Sequence, residues 1–143
     1  MSLYFKYLDF PMLPESVHTE IYNSCLENLN YFEFKKFKPY KVHQANNKLT
    51  EEVKNIIPNA TNINVHLIQN GLPVHIDVGR TEAINYIIST GGDNVCTCFY
   101  QNKSLIEQHI IEPFRWHWIN VSIPHTVINL KKDSTRISVT ISY

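Results

Sequence analysis

From Asn62 onward the apolar residues fall in short runs separated by turn-forming residues, a rhythm that predicts strands rather than helices. Runs of five to eight residues, rich in β-branched and aromatic side chains, cover Ile63–Ile68, Pro73–Asp77, Ala83–Ser89, Val95–Gln101, Ser104–Ile111, Trp116–Val121, His125–Asn129 and Arg136–Ser142. Asn70-Gly71, Gly91-Gly92-Asp93, Gln101-Asn102-Lys103 and Lys131-Lys132-Asp133-Ser134 punctuate them. Short strands at this spacing predict a sandwich or jelly roll. The first third has a different period. After Pro14, the positions Val17, Ile21, Cys25 and Leu29 recur every four residues, which predicts an amphipathic helix over Glu15–Leu29. A second, shorter helix is expected over Thr50–Ile57, stopped by Pro58. The expected organisation is a single domain, 1–143, with a helical or mixed support region at 1–61 and a β core at 62–143.

The last strand carries the most informative alternation. Ile137, Val139 and Ile141 share one face, and Arg136, Ser138 and Thr140 share the other. A guanidinium turned into a β fold needs an anion, because a buried unpaired charge is costly. On the run Pro73–Asp77, His75 and Asp77 stand at i and i+2, so both side chains point to the same side with Cα atoms roughly 7 Å apart. That span allows both to reach one ion. Two imidazoles and a carboxylate on one face of an octahedral ion leave the opposite positions open, as oxygen-activating Fe(II) sites require. His-x-Asp alone is weak, since a chain with this many His and Asp contains it by chance on the order of one time in five. The third ligand must come from elsewhere. His125, His117 and His109 are the candidates in the β region, and His125 stands behind Pro124 at the start of a run, eleven residues before Arg136.

Taken together, His75-x-Asp77, His125 and Arg136-x-Ser138 resemble the pattern of the Fe(II)/2-oxoglutarate-dependent dioxygenases, over roughly residues 62 to 143. The segments His75–Asn85 and Ile123–Tyr143 look most like small prolyl and aspartyl hydroxylases of bacteria and their viruses. The resemblance implies a double-stranded β-helix, the cupin-like jelly roll. It implies Fe(II) held by His75, Asp77 and His125, with 2-oxoglutarate and O2 as co-substrates. It also implies oxidative decarboxylation to succinate coupled to hydroxylation of a small-molecule or peptide substrate. Arg136 becomes the partner of the distal carboxylate of 2-oxoglutarate, Ser138 its helper, and Asn85, or its neighbour Tyr86, a further contact. Alternatives of other classes are a cupin-type metalloenzyme that does not use 2-oxoglutarate and a jelly-roll binding module without catalysis. The His-x-His and Glu pattern usual in cupins is missing.

Composition narrows the picture further. The chain has 143 residues, 43% hydrophobic and 18% charged, as a globular domain does. Thirteen basic residues balance thirteen acidic ones, so there is no long-range field to collect phosphates and nucleic acid is a disfavoured partner. Lys35, Lys36, Lys38 and Lys41 form a local basic group read as a solvated surface. No apolar run approaches the ~20 residues of a membrane helix, and the start lacks the pattern of a signal peptide. Three cysteines argue against a disulfide framework and for a reducing, cytoplasmic setting. Cys96-Thr97-Cys98 is expected to be a buried free pair, His117 a strand residue packed among aromatics, and His66 a hydrogen-bonded core histidine or, alternatively, a residue lining the barrel. Arg80 is read either as a surface side chain or as a group that orients the site or binds an acidic substrate. His-Glu-x-x-His, Gly-x-x-x-x-Gly-Lys, Gly-x-Gly-x-x-Gly and Gly-x-Ser-x-Gly are all absent, which sets aside the zinc-peptidase, P-loop, dinucleotide and serine-hydrolase classes.

Overall fold

The computed structural model describes residues 2–27, 33–34, 40–69 and 72–142. Along the chain the elements are β1 (Phe5–Tyr7), α1 (Glu15–Glu27), β2 (Glu33–Phe34), β3 (Lys41–Gln44), α2 (Asn47–Ile56), β4 (Thr61–Gln69), β5 (Glu82–Ser89), β6 (Cys96–Gln101), β7 (Ser104–His109), β8 (Trp116–Asn120), β9 (His125–Ile128) and β10 (Thr135–Ser142). The strands form two antiparallel sheets, one ordered β1-β8-β5-β10-β4-β3-β2 and one ordered β7-β6-β9. Helices cover one face of the larger sheet and the smaller sheet covers the other. This is the double-stranded β-helix, or jelly roll, that the strand pattern predicts.

Alternation along the central strands explains why the sheet is covered on both faces. Ile137, Val139 and Ile141 of β10, Ile84, Tyr86 and Ile88 of β5, and Ile63, Val65 and Leu67 of β4 pack in one cluster with the helices. Val17, Ile21 and Cys25 of α1 and Leu49 and Val53 of α2 complete it. The intervening residues Arg136, Ser138, Asn85, Ile87, His66 and Ile68 turn the other way and line a cavity between the sheets. A second, smaller cluster of Ala83, Ile119, Val121 and Phe99 closes the sheets against each other. Tyr86 illustrates how the helices are locked on. Its hydroxyl accepts from the Leu13 amide at 3.2 Å and lies 2.5 Å from His18 Nε2, so the polar end of a buried ring is satisfied from the helical layer.

Three expectations shift. The first helix ends its described part at Glu27, and the expected extension to Leu29 lies outside the described residues, as do Lys35, Lys36, Lys38 and the Asn70-Gly71 turn. The second helix begins at Asn47, three residues before Thr50, because the Asn46 side chain accepts from the Leu49 amide at 2.9 Å and caps it. The run Pro73–Asp77 makes no ladder. It forms a single antiparallel bridge, His75 with His125, through His75 N–H to His125 O at 3.0 Å and His125 N–H to His75 O at 2.9 Å. Pro73 has no N–H to give a neighbour, and Gly79 (φ +89°) turns the chain away soon after. The first sixty-one residues also contribute β1, β2 and β3 to the larger sheet.

The turn that follows β5 packs against the start of β10. Gly91 has φ +83°, and a Cβ there would lie 2.6 Å from Leu130 Cδ2 and 3.2 Å from the Arg136 amide nitrogen. Gly91→Ala should therefore destabilise the fold by about 1–3 kcal/mol, through left-handed strain and overpacking. Urea unfolding followed by far-UV circular dichroism checks this, and an unchanged midpoint contradicts it.

Candidate metal centre and its cavity

The His75–His125 bridge sets two imidazoles side by side, with ring centroids 4.3 Å apart and planes tilted by 51°. Asp77, two residues on and pinned by its amide to Val121 O at 3.0 Å, brings its carboxylate between them. Asp77 Oδ1 is 3.4 Å from His75 Nε2 and 3.3 Å from His125 Nε2. The ligand atoms of the three side chains lie within 4.8 Å of one another, and no other such group is found among the described residues.

The outer nitrogens show which atoms are free to coordinate. His75 Nδ1 is 2.9 Å from Pro73 O, and His125 Nδ1 is 2.8 Å from Ile123 O. A carbonyl only accepts, so each Nδ1 carries a proton, which turns Nε2 of each ring towards Asp77 as the atom that would coordinate a cation. Two imidazole nitrogens and a carboxylate oxygen then face one point. Such a donor set is suited to a cation.

Asp77 is the electrostatic centre. Burial disfavours its charge, but hydrogen bonds from His125 and His75 and the nearby Arg80 guanidinium outweigh that and hold its carboxyl well below the usual carboxylate range. Arg80 Nε donates to Asp77 Oδ2 at 2.8 Å, and its Nη1 donates to Thr140 Oγ1 at 3.1 Å. Arg80 is thus engaged with the site rather than a free surface side chain. Tyr40 also hydrogen-bonds Arg80, and its buried ring stacks on His66 at 4.4 Å. Neither Tyr40 nor Thr140 is marked as a site residue by the sequence pattern, although Thr140 shares the polar face of β10.

From the triad a cavity of about 70 Å³ runs inward to Arg136. By the ~10–15 Å³ each water needs, that is space for roughly five waters, so it suits a small molecule and not a bulky one. Arg136 is 3% exposed, makes no ion pair among the described residues, and its Nη1 has no hydrogen-bond partner. Burial pulls its pKa down to about 10, with the neighbouring Cys96 acting weakly in the opposite sense. Asn85 Oδ1 is also buried and unpartnered. Ser138 lines the same cavity, whereas Tyr86 faces the helices. Buried groups left open in this way are uncommon, and here they share one cavity.

His117 also lines it, a placement that its aromatic neighbours in sequence did not reveal. It sits opposite Asn85 in the β5–β8 register, with Nδ1 3.2 Å from Arg115 O, apart from the ligand cluster. His66 lines the cavity too. His109 pairs instead with Glu107 at 2.8 Å. Cys96 and Cys98 are buried free thiols on the strand face opposite Thr97, which lines the cavity.

No protein-family model matches the chain, and no curated protein matches it. Solved structures do. A prolyl hydroxylase from Trichoplax adhaerens, in complex with a hypoxia inducible factor oxygen degradation domain peptide fragment, aligns over 96% of this chain and 81% of its own, with TM-score 0.63 and 16% identity. A Pseudomonas putida prolyl-4-hydroxylase aligns over 95% of this chain and 89% of its own, with TM-score 0.56 and 13% identity. At these identities what is shared is the jelly-roll fold.

The buried histidine gives the cavity a measurable pH signature. Burial pushes His117 down to about 3, the Arg115 carbonyl partly offsets this, and Arg136 adds to it. In the unfolded chain the value is about 6.5. The unfolded state therefore binds more protons between those values. The stabilisation is complete above pH ~6.5 and is lost as pH falls towards 3, by up to about 1.4 kcal/mol per pH unit. His18, also lowered by burial, acts in the same sense. His117→Gln should flatten the fall in urea midpoint between pH 7.5 and 5.5 relative to wild type, and identical pH slopes contradict the assignment.

Proposed function

We propose that this chain is an Fe(II)- and 2-oxoglutarate-dependent oxygenase that hydroxylates an amino-acid side chain in a peptide, or a small molecule. The observation that carries the reading is the pairing of two features in one cavity. A His, His, carboxylate donor set lies at its mouth, and a buried guanidinium without an anion lies at its inner end. The donor set fits a divalent metal of imidazole and carboxylate preference, three ligands on one side with the other side open. The guanidinium fits the distal carboxylate of a short dicarboxylate whose other end reaches the metal.

His75, Asp77 and His125 would hold Fe(II). Bound there, the metal supplies the redox chemistry by which 2-oxoglutarate, O2 and R–H yield succinate, CO2 and R–OH, one oxygen atom going to each organic product. The protein does the rest. Arg136 and Ser138 bind the distal carboxylate, and Asn85 offers a polar contact beside it. His117, held neutral by burial, adds no competing charge next to Arg136. Ile87, Ile119 and Val127 line the walls and exclude water from the small acid. With about 70 Å³ available, the substrate can only present the reacting group at the mouth, beside the triad. The Trichoplax adhaerens protein of the same fold is recorded with a peptide, which supports a side chain as that group.

No helix is long and apolar enough to cross a membrane among the described residues. The three cysteines are free and buried, which fits a reducing cytoplasm, where we place the protein.

Anaerobic addition of Fe(II) and then 2-oxoglutarate should produce the visible metal-to-ligand charge-transfer band of a chelated keto acid. Arg136→Ala should weaken 2-oxoglutarate binding, read from that band, by at least about tenfold, as expected for loss of a charge-assisted bond of ~1.5–3 kcal/mol. A wild-type protein that binds iron with no band contradicts the use of 2-oxoglutarate, and unchanged affinity in the variant contradicts the role of Arg136.

A further inference from the structure

The two oxygens of Asp77 have different neighbours. Oδ1 faces both Nε2 atoms, at 3.4 and 3.3 Å, while Oδ2 takes a 2.8 Å hydrogen bond from Arg80 Nε. Arg80 is itself tied down at Thr140 Oγ1 and hydrogen-bonded to Tyr40, both of them buried. A guanidinium is planar with donors at fixed angles, so anchoring it at these points fixes its direction on Oδ2. Gly79, at φ +89° and with open space around it, lets the chain turn so that Arg80 comes back over Asp77 three residues earlier.

We propose that Arg80 is a positioning residue that reserves Asp77 Oδ2, so that the carboxylate reaches a metal through Oδ1 alone and the positions opposite the triad stay open. The proposal rests on the metal-binding half of the function proposed above. Carboxylates take hard cations through one oxygen or two. An Asp77 free to use both would occupy a place that a chelating keto acid or O2 needs. A guanidinium this close to a cation site also repels the cation, so strengthening metal binding is a poor explanation for its presence. Control of how many places remain open is a better one.

Mn(II) titration with water-proton relaxation reads both affinity and the number of exchangeable waters on the ion. In wild type the ion should keep waters at the three positions the triad leaves open on an octahedron. Arg80→Ala, and Arg80→Met as a variant that preserves the packing of the stem, should bind Mn(II) at least as tightly and lose about one water. Arg80→Lys, which can still hold Oδ2, should keep the wild-type water count. The Met variant should bind 2-oxoglutarate about tenfold more weakly in the metal-loaded protein, the lower end of the usual cost of losing a ligand's supporting contact. An unchanged water count in the Ala and Met variants overturns the proposal. So does a metal affinity lowered about 10–100-fold, as expected if Arg80 merely orients Asp77. A wild-type protein that binds Mn(II) but not 2-oxoglutarate refutes the oxygenase reading alone and leaves the water counts to decide the role of Arg80. Failure of the wild type to bind Mn(II) refutes both.

Discussion

Two imidazole Nε2 atoms and a carboxylate oxygen converge at Asp77, and the groups packed around them hold that arrangement. Each ring is oriented by an Nδ1–H bond to a backbone carbonyl two residues before it, Pro73 O and Ile123 O. The reciprocal amide bonds between His75 and His125 fix the separation of the two histidines. The carboxylate is held from behind by Arg80, which is held in turn by Thr140 and Tyr40.

The β framework accounts for the inner end of the cavity. Strand β10 is flanked by β5 and β4, so its two faces are covered by different layers. Ile137, Val139 and Ile141 lie within the helix-covered core, and that burial fixes the register that turns Arg136 and Ser138 towards the smaller sheet. A one-residue slip would place the guanidinium among the helices and three aliphatic side chains in the cavity. Gly91 packs beside Leu130 and the Arg136 backbone at the start of the strand, where an added side-chain carbon would clash. The His, Asp, His cluster and Arg136 are thus set by separate parts of the fold, the His75–His125 bridge and the core packing of β10, and line one cavity.

The sequence showed those parts of the site that follow a short period. The i, i+2 spacing of His75 and Asp77 and the alternation of β10 are local, and both survive in the structure with the faces expected. Element type along 62–142 was legible for the same reason, except at Pro73–Asp77, where a proline and a nearby glycine leave a single bridge in place of a ladder. Long-range relations were not legible. No spacing rule links Tyr40 or Thr140 to Arg80, and the contribution of β1 and β3 to the large sheet depends on pairing with β8 and β4 far along the chain. Asn46 as a helix cap was available in the sequence but was masked by the polar first turn Asn47-Lys48 that follows it.

A metal site and a chance cluster of polar side chains differ in whether the triad binds a cation. Anaerobic equilibrium titration with Fe(II), comparing wild type with Asp77→Ala, separates the two. Binding should saturate at about one ion per chain in the wild type and be lost in the variant, because Asp77 would supply the anionic ligand of the three. Absence of saturable binding in the wild type, or equal binding by both proteins, would contradict a metal site.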